Sequence, residues 1–389
     1  DEEIADLIDR KMDACMENDP EIFPATLGER LKLHKELFDS FRRLDILQEL
    51  VDDPRVTEIM VNGPDQVFVE TGGKIGRWEK SFESREQLED LIQQIVSSVN
   101  RIVNTSTPLA NARLADGSRV HVVLEPVALN GPILTIRKFP EPVTMDRLME
   151  YESISKEAAD LLKTLVAARY NIFVSGGTGA GKTTLLNALS EFIPPGERVI
   201  TIEDAAELQL NHIENLVRLE TRDANAEGAG EIGIGELIRA ALRMRPDRLI
   251  IGEVRGKEAL DLLQSLNTGH DGGFSSGHAN SVKDMLSRLE TMVLMAADLP
   301  LPAIRSQIAS AVDIMVHVAR MRDKTRKVTA IEEVDRFENG EIILNPLFTF
   351  REAEKAGDGF GNTGKVEGSL EQIGTLKHRE KLRLAGYRV

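Results

Sequence analysis

Cysteine is nearly absent: Cys15 is the only one in 389 residues, so no internal disulfide can form and nothing calls for an oxidising compartment. Aromatic residues are also scarce, at 4%, with one Trp and three Tyr. The cores must therefore be built from Leu, Ile, Val, Ala and Met, and little material is left for stacking bases. No apolar stretch approaches the roughly 18 residues needed to cross a bilayer. The first residues, Asp1 to Asp6, are acidic where a secretory leader would be basic and then apolar. The expectation is a soluble, cytoplasmic chain with no direct membrane insertion, reaching a membrane only through a partner. Positive charge is outnumbered as well, 48 Lys and Arg against 64 Asp and Glu. A formal net charge of −16 repels a phosphate backbone, so no nucleic acid is expected as the main partner. One local basic run, Arg320, Arg322, Lys324, Arg326 and Lys327, reads as a solvated loop between two strands.

What is present is globular: 41% hydrophobic and 29% charged residues. The length predicts two folded domains with flanking segments. Residues 1–55 read as an acidic helical segment, with Leu33, Leu37, Phe41, Leu44, Leu47 and Leu50 recurring at three- and four-residue spacing up to the Asp53-Pro54 step. Residues 56–140 change texture. A strand-like run at 66–70 lies between turn signals, and a helix carries Leu88, Leu91, Ile92, Ile95 and Val99. Strand-like runs at 111–114, 119–124 and 132–138 are separated by Asp116-Gly117 and Asn130-Gly131. This stretch reads as a small α+β domain with an antiparallel sheet. Residues 141–154, entered through Pro140 and Pro142, read as a linker. From 155 to 350, short continuous apolar runs at 171–174, 198–202, 249–251 and 274–276 alternate with helices, the pattern of a largely parallel α/β sheet. A hairpin over 327–336 and 342–347 closes it, and the tail 351–389 reads as weakly structured.

Gly176, Gly177, Thr178, Gly179, Ala180, Gly181, Lys182 and Thr183 match the phosphate-binding loop G-x-x-x-x-G-K-[ST]. A strand precedes the loop and a helix begins at Thr184, the context the motif requires. Its glycines let backbone N–H groups turn inward around phosphates, and Lys182 supplies charge to the β and γ oxygens. The Thr183 hydroxyl is a natural Mg²⁺ ligand. The expected cofactor set is ATP with Mg²⁺.

Two acids lie at downstream strand ends, where ligands gather in open parallel sheets. Glu253 is expected as the base that activates water, and Glu203 acts on Mg²⁺ directly or through its water. Gly252 occupies the place where many P-loop enzymes put a metal-holding Asp, which raises the weight on Glu203. His278 follows a short strand and can sense the γ-phosphate, whereas His270 reads equally well as structural. Neither belongs to a cluster with zinc-ligand spacing. Arg239 and Arg243 are predicted to share a helix face, Arg255 follows Glu253 closely, and Arg113, Arg119 and Arg137 lie on the hairpins of the first domain. Surface salt bridging is the plain alternative for each.

Residues 171–184, the box Thr201 to Glu207, the run Leu242 to Arg255 and the segment Gly269 to Asn280 resemble, in order and spacing, the type II/IV secretion ATPase superfamily. They look like its Walker A, Asp box, Walker B and His box. Val217 to Arg222, Asn267 to Gly273, Ala112 to Val120 and Thr135 to Phe139 resemble most the Flp (tight adherence) pilus assembly ATPases, the CpaF/TadA-type branch. The resemblance covers about residues 40–350. It implies a C-terminal RecA-like P-loop ATPase domain, a smaller N-terminal PAS-like α+β domain, and a homo-hexamer acting on an inner-membrane platform protein. It further implies that Arg119 and Arg137 reach the phosphates from the N-terminal domain, with Arg239, Arg243 and Arg255 as arginines of the catalytic domain, some acting on a neighbour. Ser276-Gly277 stands where Thr and a larger residue are common, a change expected to be tolerated. The four-cysteine insertion of some type II relatives is absent, so no structural zinc is expected. A nucleotide-controlled scaffold with little turnover, and a ring-shaped nucleic-acid translocase, stay open as alternatives.

Overall fold

A computed structural model of the chain describes residues 2–18, 26–99, 101–139, 142–222, 230–353, 364 and 366–387. Contacts divide the chain into two compact units, Asp1–Glu141 and Pro142–Val389.

The first unit begins with helices α1 (Glu2–Asn18), α2 (Leu27–Arg42) and α3 (Gln48–Asp52). The leucine stripe predicted over this stretch is split. The backbone leaves α2 at Arg43, and Asp45 takes a left-handed φ of 51°. Phe41 is therefore left exposed, while Leu47 and Leu50 enter the core of the α+β layer. That layer contains β1 (Val56–Asn62), β2 (Val67–Thr71), β3 (Lys74–Arg77), α4 (Arg85–Ser98), β4 (Leu109–Arg113), β5 (Arg119–Val123) and β6 (Ile133–Arg137). The strands form one antiparallel sheet in the order β3-β2-β1-β6-β5-β4. Ser84 caps α4 by accepting from the Gln87 N–H. The helix then buries Leu88, Leu91, Ile92 and Ile95 against Ile59, Val122, Leu134 and Ile136 of the sheet.

In the second unit, α5 (Met145–Glu150) and α6 (Lys156–Ala167) precede β7 (Ile172–Gly176), α7 (Lys182–Ser190), β8 (Val199–Glu203) and β9 (Leu216–Glu220). Next come α8 (Ile234–Ala241), β10 (Arg248–Ile251), α9 (Glu258–Leu266), β11 (Phe274–His278), α10 (Val282–Ala296) and α11 (Leu301–Ala311). The unit closes with β12 (Ile314–Arg320), β13 (Arg326–Glu338), β14 (Glu341–Glu352), β15 (Gly368–Gln372) and α12 (Glu380–Leu384). Nine strands run in the order β15-β14-β13-β12-β7-β11-β10-β8-β9, parallel from β12 to β9 and antiparallel beyond. Every residue of β7, β8 and β10 is buried, because helices cover both faces: α5 to α7 on one core and α8 to α11 on the other.

Two expectations change here. The stretch 141–154 carries α5, whose Met145 is buried and whose first amide donates to Glu191. Pro140 and Glu141 lie outside the described residues. The tail is tied down too: β15 pairs with β14, the Lys377 and His378 amides donate to Glu333, and Lys381 bridges Asp271 and Asp313. Residues 354–363 lie outside the described residues.

Candidate active site

In a parallel sheet all strands end on the same side, so the segments after β7, β8, β10 and β11 share one edge. The P-loop leaves β7 there. Gly176 pairs with Val318 so closely that a Cβ at 176 would lie 2.4 Å from the Val318 carbonyl oxygen, which only glycine tolerates. Gly181 takes a φ of 98° at the start of α7, again a glycine conformation. Gly177, Thr178 and Gly179 are exposed, and Ala180 is buried beneath them. Thr183 and Thr184 are half-buried on the first turn of α7.

Lys182, the first residue of that helix, is buried. Its ammonium donates to the Gly177 carbonyl at 3.3 Å and sits 3.2 Å from His278 Nδ1. Burial pulls the Lys182 pKa down, opposed by the nearby Glu253. His278 is placed by sheet register, as the β11 partner of Gly176. Its Nε2 lies 2.9 Å from Glu253 Oε1, off the direction in which that oxygen would accept, so the oxygen is buried without a hydrogen bond. Burial also lowers the His278 pKa; Glu253 opposes this, while Lys182 and Arg255 reinforce it. Glu253 Oε2 accepts from Arg255 Nη2 at 3.1 Å, and Arg255 Nη1 stands 3.6 Å from Asp204. Lys182, His278, Glu253 and Arg255 thus form one continuous chain beside the P-loop.

Glu203 ends β8 and is 3% exposed. Its Oε1 accepts from the Glu207 and Leu208 amides at 2.9 and 3.0 Å, while Oε2 is buried with no hydrogen-bond partner among the described residues. Burial pushes its pKa up to about 7 against those two bonds. A Cβ at Gly252 would lie 2.9 Å from Glu203 Cγ. The missing Asp at 252 is thereby explained: the Glu203 side chain from the neighbouring strand fills that space. Ser276 fixes the same backbone, its Oγ donating to the Gly252 carbonyl at 2.6 Å and its carbonyl accepting from Val254. At Gly277 a Cβ would meet the end of the Met285 side chain at 2.8 Å, so a larger residue there would require that side chain to move.

The residue set around this loop fits a nucleotide with a divalent cation. The fit rests on the bare, buried Glu203 oxygen and on the glycine-lined turn that exposes its backbone ahead of α7. Among the described residues, no His, Cys, Asp or Glu grouping holds a metal by itself, so the ligand's own phosphates would have to share in holding a cation.

The family described as type II/IV secretion system protein matches residues 42–349. The chain belongs to that family. Relatives include a Mycobacterium tuberculosis protein named for conjugal transfer, 40% identical over 294 residues, covering 74% of this chain and 83% of that protein. The type IV secretion system protein PtlH of Bordetella pertussis is 34% identical over 290 residues, covering 68% and 86%. The Legionella pneumophila ATPase DotB shares the fold, with a TM-score of 0.54 at 19% identity over 76% of this chain and 80% of that one. This type II/IV secretion family chain carries its phosphate-binding loop on a parallel α/β sheet, the fold it shares with DotB.

The arginines divide. Only Arg255 joins the P-loop chain. Arg239 pairs with Asp261 of α9 at 2.8 Å. Arg243 lies two residues past Ala241, the last residue of α8, and is exposed like Arg239. Arg113, Arg119 and Arg137 stand directly opposite one another across β4, β5 and β6 of the first unit, a row of like charge, with Arg119 over the Phe139 ring at 5.6 Å. His270 precedes β11, at the end of the sheet away from His278, and contacts Thr268. No membrane-crossing helix occurs among the described residues. Sequence reading did not find Ser276 as a brace or Arg326 as a P-loop neighbour. Ser276 gave no signal beyond its place before His278, and the signal at Arg326 was the density of the basic run.

Proposed function

We propose that the chain hydrolyses ATP with Mg²⁺ as a cytoplasmic homo-hexameric motor. It would power assembly or export by a Flp or type IV pilus, or a related type II/IV secretion machine, through an inner-membrane platform protein. The observation that carries the catalytic part is the unbroken chain Lys182, His278, Glu253, Arg255 beside the P-loop. The γ-phosphate would lie on Lys182 and the loop amides, with His278 at its side. Glu253 takes the proton as water attacks the γ-phosphorus and the bond to the β–γ bridging oxygen breaks. Thr183 and the bare oxygen of Glu203 are the groups suited to hold Mg²⁺, which when bound neutralises phosphate charge. Arg119 and Arg137 would add positive charge from the N-terminal unit, while Arg239 and Arg243, exposed and off the P-loop chain, suit a role on a neighbouring subunit. The pilus branch rests on the sequence runs 217–222 and 267–273.

Lys182→Ala is expected to abolish tight binding of a fluorescent ATP analogue in equilibrium titration. Undiminished binding would remove the P-loop from the account. Specific activity should rise with protein concentration as subunits complete each other's sites. A strictly monomeric species with full activity in sedimentation and turnover assays would refute the ring.

A further inference from the structure

The basic run between β12 and β13 is built, not loose. Asp323 accepts from the Thr325 amide and hydroxyl at 3.0 and 2.6 Å and from the Val366 amide at 2.7 Å. Lys324 holds the tip in a left-handed turn, φ 69°. Lys327 is buried and donates to the Glu152 carbonyl at 2.8 Å. This scaffold aims Arg326 at the P-loop from outside. Its Nε donates to the Gly179 carbonyl at 2.9 Å, and its Cδ would lie 3.4 Å from a Cβ at Gly181. Nη1 and Nη2 make no bond among the described residues, and the guanidinium is exposed.

A loop that wraps an anion must turn N–H groups inward and carbonyls outward. Gly179, with a φ of 68°, has little intrinsic resistance to a peptide flip that would turn its carbonyl toward the phosphates. We propose that Arg326 is a positioning residue for the nucleotide: its guanidinium pins the Gly179 carbonyl outward and adds fixed positive charge to the back of the P-loop. The inference rests on the P-loop reading above. It assigns Arg326 to affinity, not to the bond-breaking step, because the residue stands behind the loop and touches neither Glu253 nor His278.

The test is titration of the full chain with fluorescent trinitrophenyl-ATP, beside steady-state hydrolysis of ATP. Arg326→Ala should weaken binding and raise KM about tenfold, the loss of one charge-assisted hydrogen bond, while kcat at saturation stays within about threefold. Arg326→Lys, which keeps a charged donor, should recover most of the affinity, and it keeps the question open to measurement if the alanine chain folds poorly. Binding by Arg326→Ala within twofold of the parent, or a fall in kcat alone, would overturn the assignment. Lys182→Ala separates the two readings. If it abolishes binding while Arg326→Ala binds normally, only the Arg326 role fails. If Lys182→Ala binds normally, both fail.

Discussion

Two glutamates of the catalytic unit are almost equally buried and are treated in opposite ways. Glu333, 1% exposed, lies at the end of the sheet where β7 and β12 begin. Both its oxygens are filled, by the Lys377 and His378 amides and the Asn345 side chain at 2.6 to 3.2 Å. Glu203, 3% exposed, lies where the strands end; one oxygen takes two amides and the other takes none. Burying a carboxylate costs free energy that hydrogen bonds must offset. At one end the fold offsets it fully and gains a fixed structure. At the other it leaves an acceptor bare among the described residues, on the edge of the sheet that also carries Lys182, His278 and a Glu253 oxygen in the same condition. Such clusters of incompletely paired, pKa-shifted groups mark reactive sites.

Substitutions of carboxyl by amide sharpen that contrast. The largest effect is expected at the reactive end: Glu253→Gln should lower kcat by about 10²–10⁴ while nucleotide still binds, as removal of a general base does. Unaltered turnover in a steady-state assay would show that Glu253 is not the base. At the structural end, Glu333→Gln sets an amide donor against donors and should cost about 2–3 kcal/mol in denaturant unfolding, with turnover per folded molecule unchanged. Glu203→Gln should have the opposite sign for stability. Its carboxyl rises from an ordinary 4.5 to about 7, so between those values the folded chain holds a proton that the unfolded chain has lost. The group's stabilising contribution is therefore present at low pH and fades as pH climbs through that window. Glu203→Gln keeps both amide bonds and removes the charge, so at pH 8 it should stabilise the ligand-free chain by at most about 3 kcal/mol. A melting temperature no higher than the parent's at pH 8 would mean that Glu203 is satisfied by something else.

Most of the site was legible because the sheet's geometry does the work: acids and a histidine at the ends of parallel strands must share an edge with the loop after β7. The hairpins of the first unit were legible for a local reason, turn chemistry at Asp116-Gly117 and Asn130-Gly131. The strand β1 was not, although it sits mid-sheet, because a register shift between Val56 and Glu58 breaks the alternation on which strand recognition depends. Strand β15 was hidden for another reason: its residues are mostly polar, and its conformation comes from pairing with β14. At the site, no spacing rule links Gly252 to Glu203, since their exchange of space depends on the register of β8 against β10. Arg326 lies 147 positions from Gly179, and a charged run that far off carries no local sign of its partner.

The way residues 366–387 are stitched in bears on how the unit is made. Tyr170 donates its hydroxyl to the His378 carbonyl at 2.5 Å, beside Asn171, whose amide donates to Asp313. Lys381 closes on that same aspartate. During synthesis, every strand of the parallel core leaves the ribosome before this final stitch does. Until it arrives, Glu333 lacks the Lys377 and His378 amides and Asp313 lacks Lys381, while the Asn345 and Asn171 bonds to the same two carboxylates come from segments already made.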